Sequence, residues 1–95
     1  MRTTPRPNLC SLNFFCTAPQ AKEVSLVGDF NNWNPATHPM KQGPDKVWVV
    51  QLELKPGHHR YAFRVDGVLT LDPHAQGITR NDQNERVSLV PVSGR

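Results

Sequence analysis

From residue 47 to residue 71 the chain reads VWVVQLELKPGHHRYAFRVDGVLTL, and this stretch leaves little choice of architecture. Trp48, Val50, Leu52 and Leu54 alternate with Val49, Gln51 and Glu53, and Tyr61, Phe63 and Val65 alternate with Arg60, Ala62 and Arg64. A period of two puts each set on one face of an extended strand, with Tyr61, Phe63 and Val65 inward and Arg60, Ala62 and Arg64 outward. Lys55-Pro56-Gly57 supplies a turn between the two runs. Asp66-Gly67 is the strongest hairpin signal in the chain, because a type I′ turn needs positive φ at both central positions and these residues tolerate it. VLTLDP is then the returning strand.

The same alternation recurs on either side. LCSLNFFCT places Cys10, Leu12, Phe14 and Cys16 on one face, APQAK turns the chain, and EVSLVGD is a second strand. RVSLVPV forms a last one. Two polar passages carry no pattern: ATHPMKQGPDK reads as an irregular connection with a turn at Gly43-Pro44, and HAQGITRNDQNE as a loop. No segment of helical length has a 3.6-residue apolar period, so about six short strands specify an all-β fold, a small antiparallel β-sandwich. At 95 residues the chain supports one modest core. The expected organisation is a loose arm over residues 1–8 and a single domain over 9–93.

Several function classes are disfavoured on these grounds. No apolar run approaches the roughly 20 residues of a membrane-spanning helix. Arg2 and Arg6 ahead of LCSLNFFCTA have the look of a targeting signal, but polar residues at period two mark a strand instead. Cys10 and Cys16 on one strand lie roughly 20 Å apart, far beyond the about 7 Å that a disulfide needs, and read as reduced core thiols of a cytoplasmic protein. No Ser or Cys sits in a nucleophile motif, so no enzyme is expected. His58 and His59 point to opposite strand faces and cannot chelate together; with His38 and His74 they read as surface histidines, and neither metal nor cofactor is expected. The formal charge of +3 is mild. Arg60, Arg64, Arg80 and Arg86 are interspersed with Glu53 and Glu85, and no base-stacking aromatic pair accompanies them, so nucleic acid is not the expected partner.

One loop carries chemistry: GDFNNWNP, at residues 28–35. Phe30, near the strand end, is placed to pack; Trp33, flanked by Asn32 and Asn34, is placed at the surface. An exposed indole suits the C–H face of a pyranose ring, and neighbouring amides suit its hydroxyls.

VSLVGDFNNWNP, then VWVVQLELKPGHHRYAFRVDG, then Asp72-Pro73 and a closing VSLVPV together resemble carbohydrate-binding module family 48. This is the glycogen-binding or early-set module of AMP-activated protein kinase β subunits, isoamylases and glycogen branching enzymes, and the likeness runs from about Leu12 to Val92. The resemblance implies an immunoglobulin-like early-set sandwich without catalytic activity that binds α-glucans such as glycogen, starch or maltooligosaccharides. In that family the site combines a Trp in the FNNW loop, a Lys on the Tyr-x-Phe strand, a Trp after VDG, and a Thr and an Asn before the last strand. Trp33 matches the first; Ala62 stands at the Lys position and Leu69 at the second Trp, while the Thr and Asn positions fall near Glu85 and Val87, with Asn84 close by. The expected sugar contacts are therefore Trp33 as platform, Leu69 as apolar support, and Arg60, Arg64 and Asn84 as hydroxyl partners, in a module acting alone. The alternative is a domain that keeps the sandwich but docks on a glucan-metabolising enzyme or a kinase without binding sugar.

Overall fold

A computed structural model describes residues 9–92. The arm expected over 1–8 and the domain end expected at 93 lie outside these residues. Eight strands follow one another: β1 (Cys10–Thr17), β2 (Val24–Gly28), β3 (Lys41–Gln42), β4 (Val47–Leu54), β5 (Gly57–Val65), β6 (Val68–Thr70), β7 (Gly77–Arg80) and β8 (Arg86–Val92). They form two antiparallel sheets, one ordered β1-β4-β3 and the other β2-β5-β8-β7 with β6 paired to the free part of β5. This is the all-β sandwich that the alternation called for, with the early-set character that the resemblance implies.

Facing sides of the two sheets enclose the core. Phe14 and Cys16 of β1, Trp48 and Leu54 of β4, Val24 and Leu26 of β2, and Tyr61 and Phe63 of β5 are all buried there. The Phe14 and Tyr61 rings meet edge to face at 5.0 Å, and Tyr61 and Phe63 at 5.9 Å, the offset arrangement that aromatic quadrupoles favour. Neither cysteine is in a disulfide among the described residues; Cys16 is buried and Cys10 half-buried. The β5–β6 turn has φ of 49° at Asp66 and 85° at Gly67. Asp66 Oδ1 also accepts the amides of Lys22 and Glu23 at 2.9 Å, so this turn anchors the β1–β2 connection as well.

The two passages without a pattern each contain a short strand, and here the six-strand expectation is corrected to eight. His38 O accepts Leu26 N–H at 2.9 Å and Met40 N–H donates to Val24 O at 2.8 Å, after which Lys41 and Gln42 pair with Val49 and Trp48. This segment crosses from one sheet to the other and buries Met40 in the core. Such a crossing leaves too few residues on either sheet for a period to show. β7 pairs with β8 from Gly77 opposite Leu89 to Arg80 opposite Arg86. At four residues it is shorter than the commonest strand length of about five to six.

The histidine expectation also needs amending. His58 and His74 are exposed, but His38 and His59 are half-buried and hydrogen-bonded, His38 with Asn31 and His59 with the carbonyl of Lys55.

Candidate functional site

The outward side of the larger sheet is not bare. Arg60, Ala62 and Arg64 of β5 face away from the core as their alternation requires, yet Ala62 is fully buried, in a small second cluster with Val27 and Val87. Trp33 and Leu69 pack against this cluster from outside the sheet. The structure thus brings two of the sequence-expected residues onto one apolar patch, with Trp33 half-buried rather than wholly exposed.

How the loop delivers Trp33 follows from its residues. Gly28 ends β2, and a Cβ there would lie 2.5 Å from the Phe30 ring and 2.6 Å from Arg60 O, so only glycine lets Phe30 fold back over the strand end. Phe30 packs against the main core, as its position suggests. Asn31 is buried and acts as the loop's internal brace. Its Oδ1 accepts Gly28 N–H at 3.0 Å and Trp33 N–H at 3.1 Å, and its Nδ2 reaches Leu26 O at 3.0 Å and His38 Nδ1 at 2.8 Å. Asn32 and Trp33 sit at φ of 57° and 59°, left-handed geometry that is costly for a bulky residue and is held here by the bonds of Asn31. Asn34 Oδ1 turns back onto Ala36 N–H at 2.9 Å. Of the two amides flanking Trp33, Asn32 therefore faces the indole's surroundings, and Asn34 is spent partly on the loop.

A second loop, between β7 and β8, comes up beside the first. Asn32, Trp33, Asn81, Asp82 and Gln83 line a hollow of about 160 Å³. Asn81 braces this loop much as Asn31 braces the other: its Oδ1 accepts the amides of Gln83 and Glu85 at 2.9 Å, and its Nδ2 donates to Glu85 Oε1 at 3.0 Å. Asn84 does not line the hollow. It closes the turn at φ of 65°, donating its N–H to Asn81 O and accepting Arg80 Nη1 at 2.9 Å on its carbonyl.

The two arginines part company. Arg60 Nη1 donates to Arg80 O at 3.0 Å and lies 3.6 Å from Asp82, while its Nε lies 3.7 Å from Asp29. It ties the β7–β8 loop to the end of β2, and its link to Asp82 reaches the Trp33 hollow. Arg64 stands opposite Ser25 on one side and Leu69 on the other, and lines a separate hollow with Pro35 and Ala36.

Sequence reasoning did not pick out Asn81, Asp82 and Gln83. Gly77–Arg80 carries no apolar alternation, since Ile78 shares its exposed face with Arg80, so nothing in the sequence marked NDQN as a hairpin loop.

The family described as carbohydrate-binding module 48 (isoamylase N-terminal domain) matches residues 4–75, which takes in β1 to β6 and the Trp33 loop. The chain is 42% identical over 81 residues to the 1,4-alpha-glucan branching enzyme GlgB of Mycobacterium tuberculosis, covering 79% of this chain and 11% of that protein. It is 39% identical over 88 residues to the GlgB of Novosphingobium aromaticivorans, covering 85% and 12%. Against GlgB 2 of Xanthomonas campestris pv. campestris it is 37% identical over 73 residues, covering 72% and 10%. The chain spans about a tenth of the length of the curated relatives it matches. With a family match across most of its length and an early-set sandwich that lifts a tryptophan on the FNNW loop, the chain belongs to the carbohydrate-binding module 48 family.

Proposed function

We propose that this protein is a non-catalytic module that binds α-glucans weakly, as glycogen, starch or maltooligosaccharides, through Trp33. The observation that carries this reading is the convergence of Trp33 and Leu69 on one apolar patch beside a hollow lined with amides and a carboxylate. A flat apolar plate with hydrogen-bonding groups at its edge suits a pyranose ring, whose faces are C–H and whose rim is hydroxyl. Trp33 stacks on the ring and Leu69 widens the apolar floor. Asn32, Asp82 and Gln83 meet hydroxyls, Arg60 holds Asp82 in place, and Asn84 shapes the loop that presents them. The internal braces at Asn31 and Asn81 reduce the ordering cost that a floppy site would pay on binding.

The affinity is modest. Stacking on one ring contributes roughly 1–3 kcal/mol, and association itself costs several, which puts a single short oligosaccharide at about millimolar Kd. A branched polymer offers many equivalent chains, and that raises effective concentration. The module acts alone or as part of a larger glucan-acting protein, in the cytoplasm where its two thiols stay reduced. Among the described residues no helix is long and apolar enough to cross a membrane.

Titrating maltoheptaose while following tryptophan emission tests the reading. Trp48 is buried, its indole N–H bonded to Ala18 O at 2.9 Å, so the change comes from Trp33. Saturable quenching that disappears in Trp33→Ala supports the proposal; no response at millimolar sugar rejects it.

A second reading has one observation in its favour. Phe15 is 56% exposed and borders an apolar groove of about 530 Å³ between β1 and the β6–β7 connection, away from the Trp33 patch. On this reading the groove seats the catalytic domain of a glucan-acting enzyme. Sugar-independent retention of such an enzyme by the wild type, lost in Phe15→Ser, distinguishes it.

A further inference from the structure

Two residues along β5 from Ala62, roughly 7 Å at strand rise, the same outward face holds a second and larger hollow of about 320 Å³. Glu23, Ser25, Pro35, Ala36, Arg64 and Gly67 line it. Residues 32–36 thus serve as a shared wall, with Trp33 toward the first hollow and Pro35 and Ala36 toward the second.

The polar groups here are only partly spent on the fold. Arg64 donates one hydrogen bond, Nη1 to Gly67 O at 3.0 Å, out of the five its guanidinium can make. Its Nε is buried and has no partner, a condition native structures seldom leave without a purpose. Among the described residues the Glu23 carboxylate and the Ser25 hydroxyl have no hydrogen-bond or ion-pair partner either. A cation and an anion therefore border one hollow without pairing, although Ser25 and Arg64 are direct cross-strand neighbours.

That arrangement selects a ligand class. A phosphate or carboxylate would meet Glu23, and an ammonium would meet Arg64. A neutral ring with adjacent hydroxyls satisfies both, donating to the carboxylate and accepting from the guanidinium, with its C–H surface against Pro35 and Ala36. We propose that this hollow is a second glucosyl position, in which Arg64, Glu23 and Ser25 hold hydroxyls of a unit further along the α-glucan chain whose first unit stacks on Trp33. The inference rests on the function proposed above. Binding draws the Arg64 guanidinium toward the hydroxyls and gives Nε the partner it lacks.

The experiment is calorimetric titration of the whole chain with maltotriose and with maltoheptaose, in wild type, Arg64→Met, Glu23→Gln and Trp33→Ala. Arg64→Met keeps the apolar stem, and Glu23→Gln keeps shape while removing charge. The expected result is that each weakens maltoheptaose binding roughly three- to tenfold and leaves maltotriose within about twofold, whereas Trp33→Ala abolishes both. Maltoheptaose affinity unchanged in both variants overturns the second position and leaves the Trp33 reading standing. Equal loss on both sugars also overturns it, because the residues would then belong to the first position. A wild type that binds neither sugar overturns this inference and the proposed function together.

Discussion

At the scale of single residues, the loop that carries Trp33 shows how unevenly a sequence discloses its site. Phe30 and Trp33 sort themselves by position and polarity, one to packing and one toward the outside. Asn31, Asn32 and Asn34 look alike in the sequence, yet Asn31 is buried and braces the turn, while its neighbours face outward. Nothing in residue type separates them, because the distinction arises from the left-handed backbone at positions 32 and 33. Asn31→Ala removes the acceptor of Gly28 N–H and the donor to Leu26 O, inside the protein where water does not replace them. We expect a loss of about 1–3 kcal/mol, read as a drop in denaturation midpoint, and weaker glucan binding as Trp33 loses its fixed direction. A variant of unchanged stability would show that the brace is not what holds the loop.

Among the elements, the strands with a full period of alternation were legible, as was three-residue β6 through its Asp66-Gly67 turn, whereas β3 and β7 were not. β1, β4 and β5 each run eight or nine residues, long enough for two faces to declare themselves. β3 and β7 have two and four residues, and their place is set by neighbouring strands, not by their own composition. The cost of missing β7 fell on the site, since the β7–β8 loop supplies Asn81, Asp82 and Gln83 beside Trp33. Alternation put Ala62 outward and gave no sign that Trp33 and Leu69 would cover it, since that contact joins three separate elements. β6 offers the converse test. Leu69 is half-buried, stands opposite Arg64 and packs on the same cluster as Trp33. Leu69→Trp supplies a second plate at a position already turned toward the patch, and we expect maltoheptaose affinity to rise about tenfold. Affinity equal to wild type would mean that residue 69 does not reach the sugar.

For the molecule as a whole, one interaction links the core to the alkaline stability limit. The Tyr61 hydroxyl, facing the core from β5, donates to Asp72 Oδ2 at 2.5 Å. Asp72 in turn accepts His74 N–H at 2.9 Å, and its own N–H donates to Ser88 Oγ at 2.9 Å. Burial first, then the hydrogen bond to Asp72 and its charge, push the Tyr61 phenol far above its ordinary value of 10.0. The folded state therefore keeps a proton that the unfolded chain releases near pH 10. This contribution is fully present below pH 10 and is lost above it, at about 1.4 kcal/mol per pH unit. Tyr61→Phe should be less stable than wild type at pH 7, because it strands Asp72, and the difference should narrow above pH 10. Parallel stability curves for the two proteins across that range would contradict the assignment.

The two-sheet plan was legible from alternation, and the family from the spacing of FNNW, Tyr-x-Phe and VDG; how the outward face is shared between two hollows emerged only when strands distant in sequence were set side by side. The most direct measurement of the central claim is an amide chemical-shift map of the protein titrated with maltoheptaose. The account predicts perturbations concentrated at residues 32–36, 64–69 and 81–83 and extending to 23–25, with the Trp33 indole N–H moving furthest and Trp48 unmoved. Shifts confined to the groove beside Phe15, or none at saturating sugar, would contradict it.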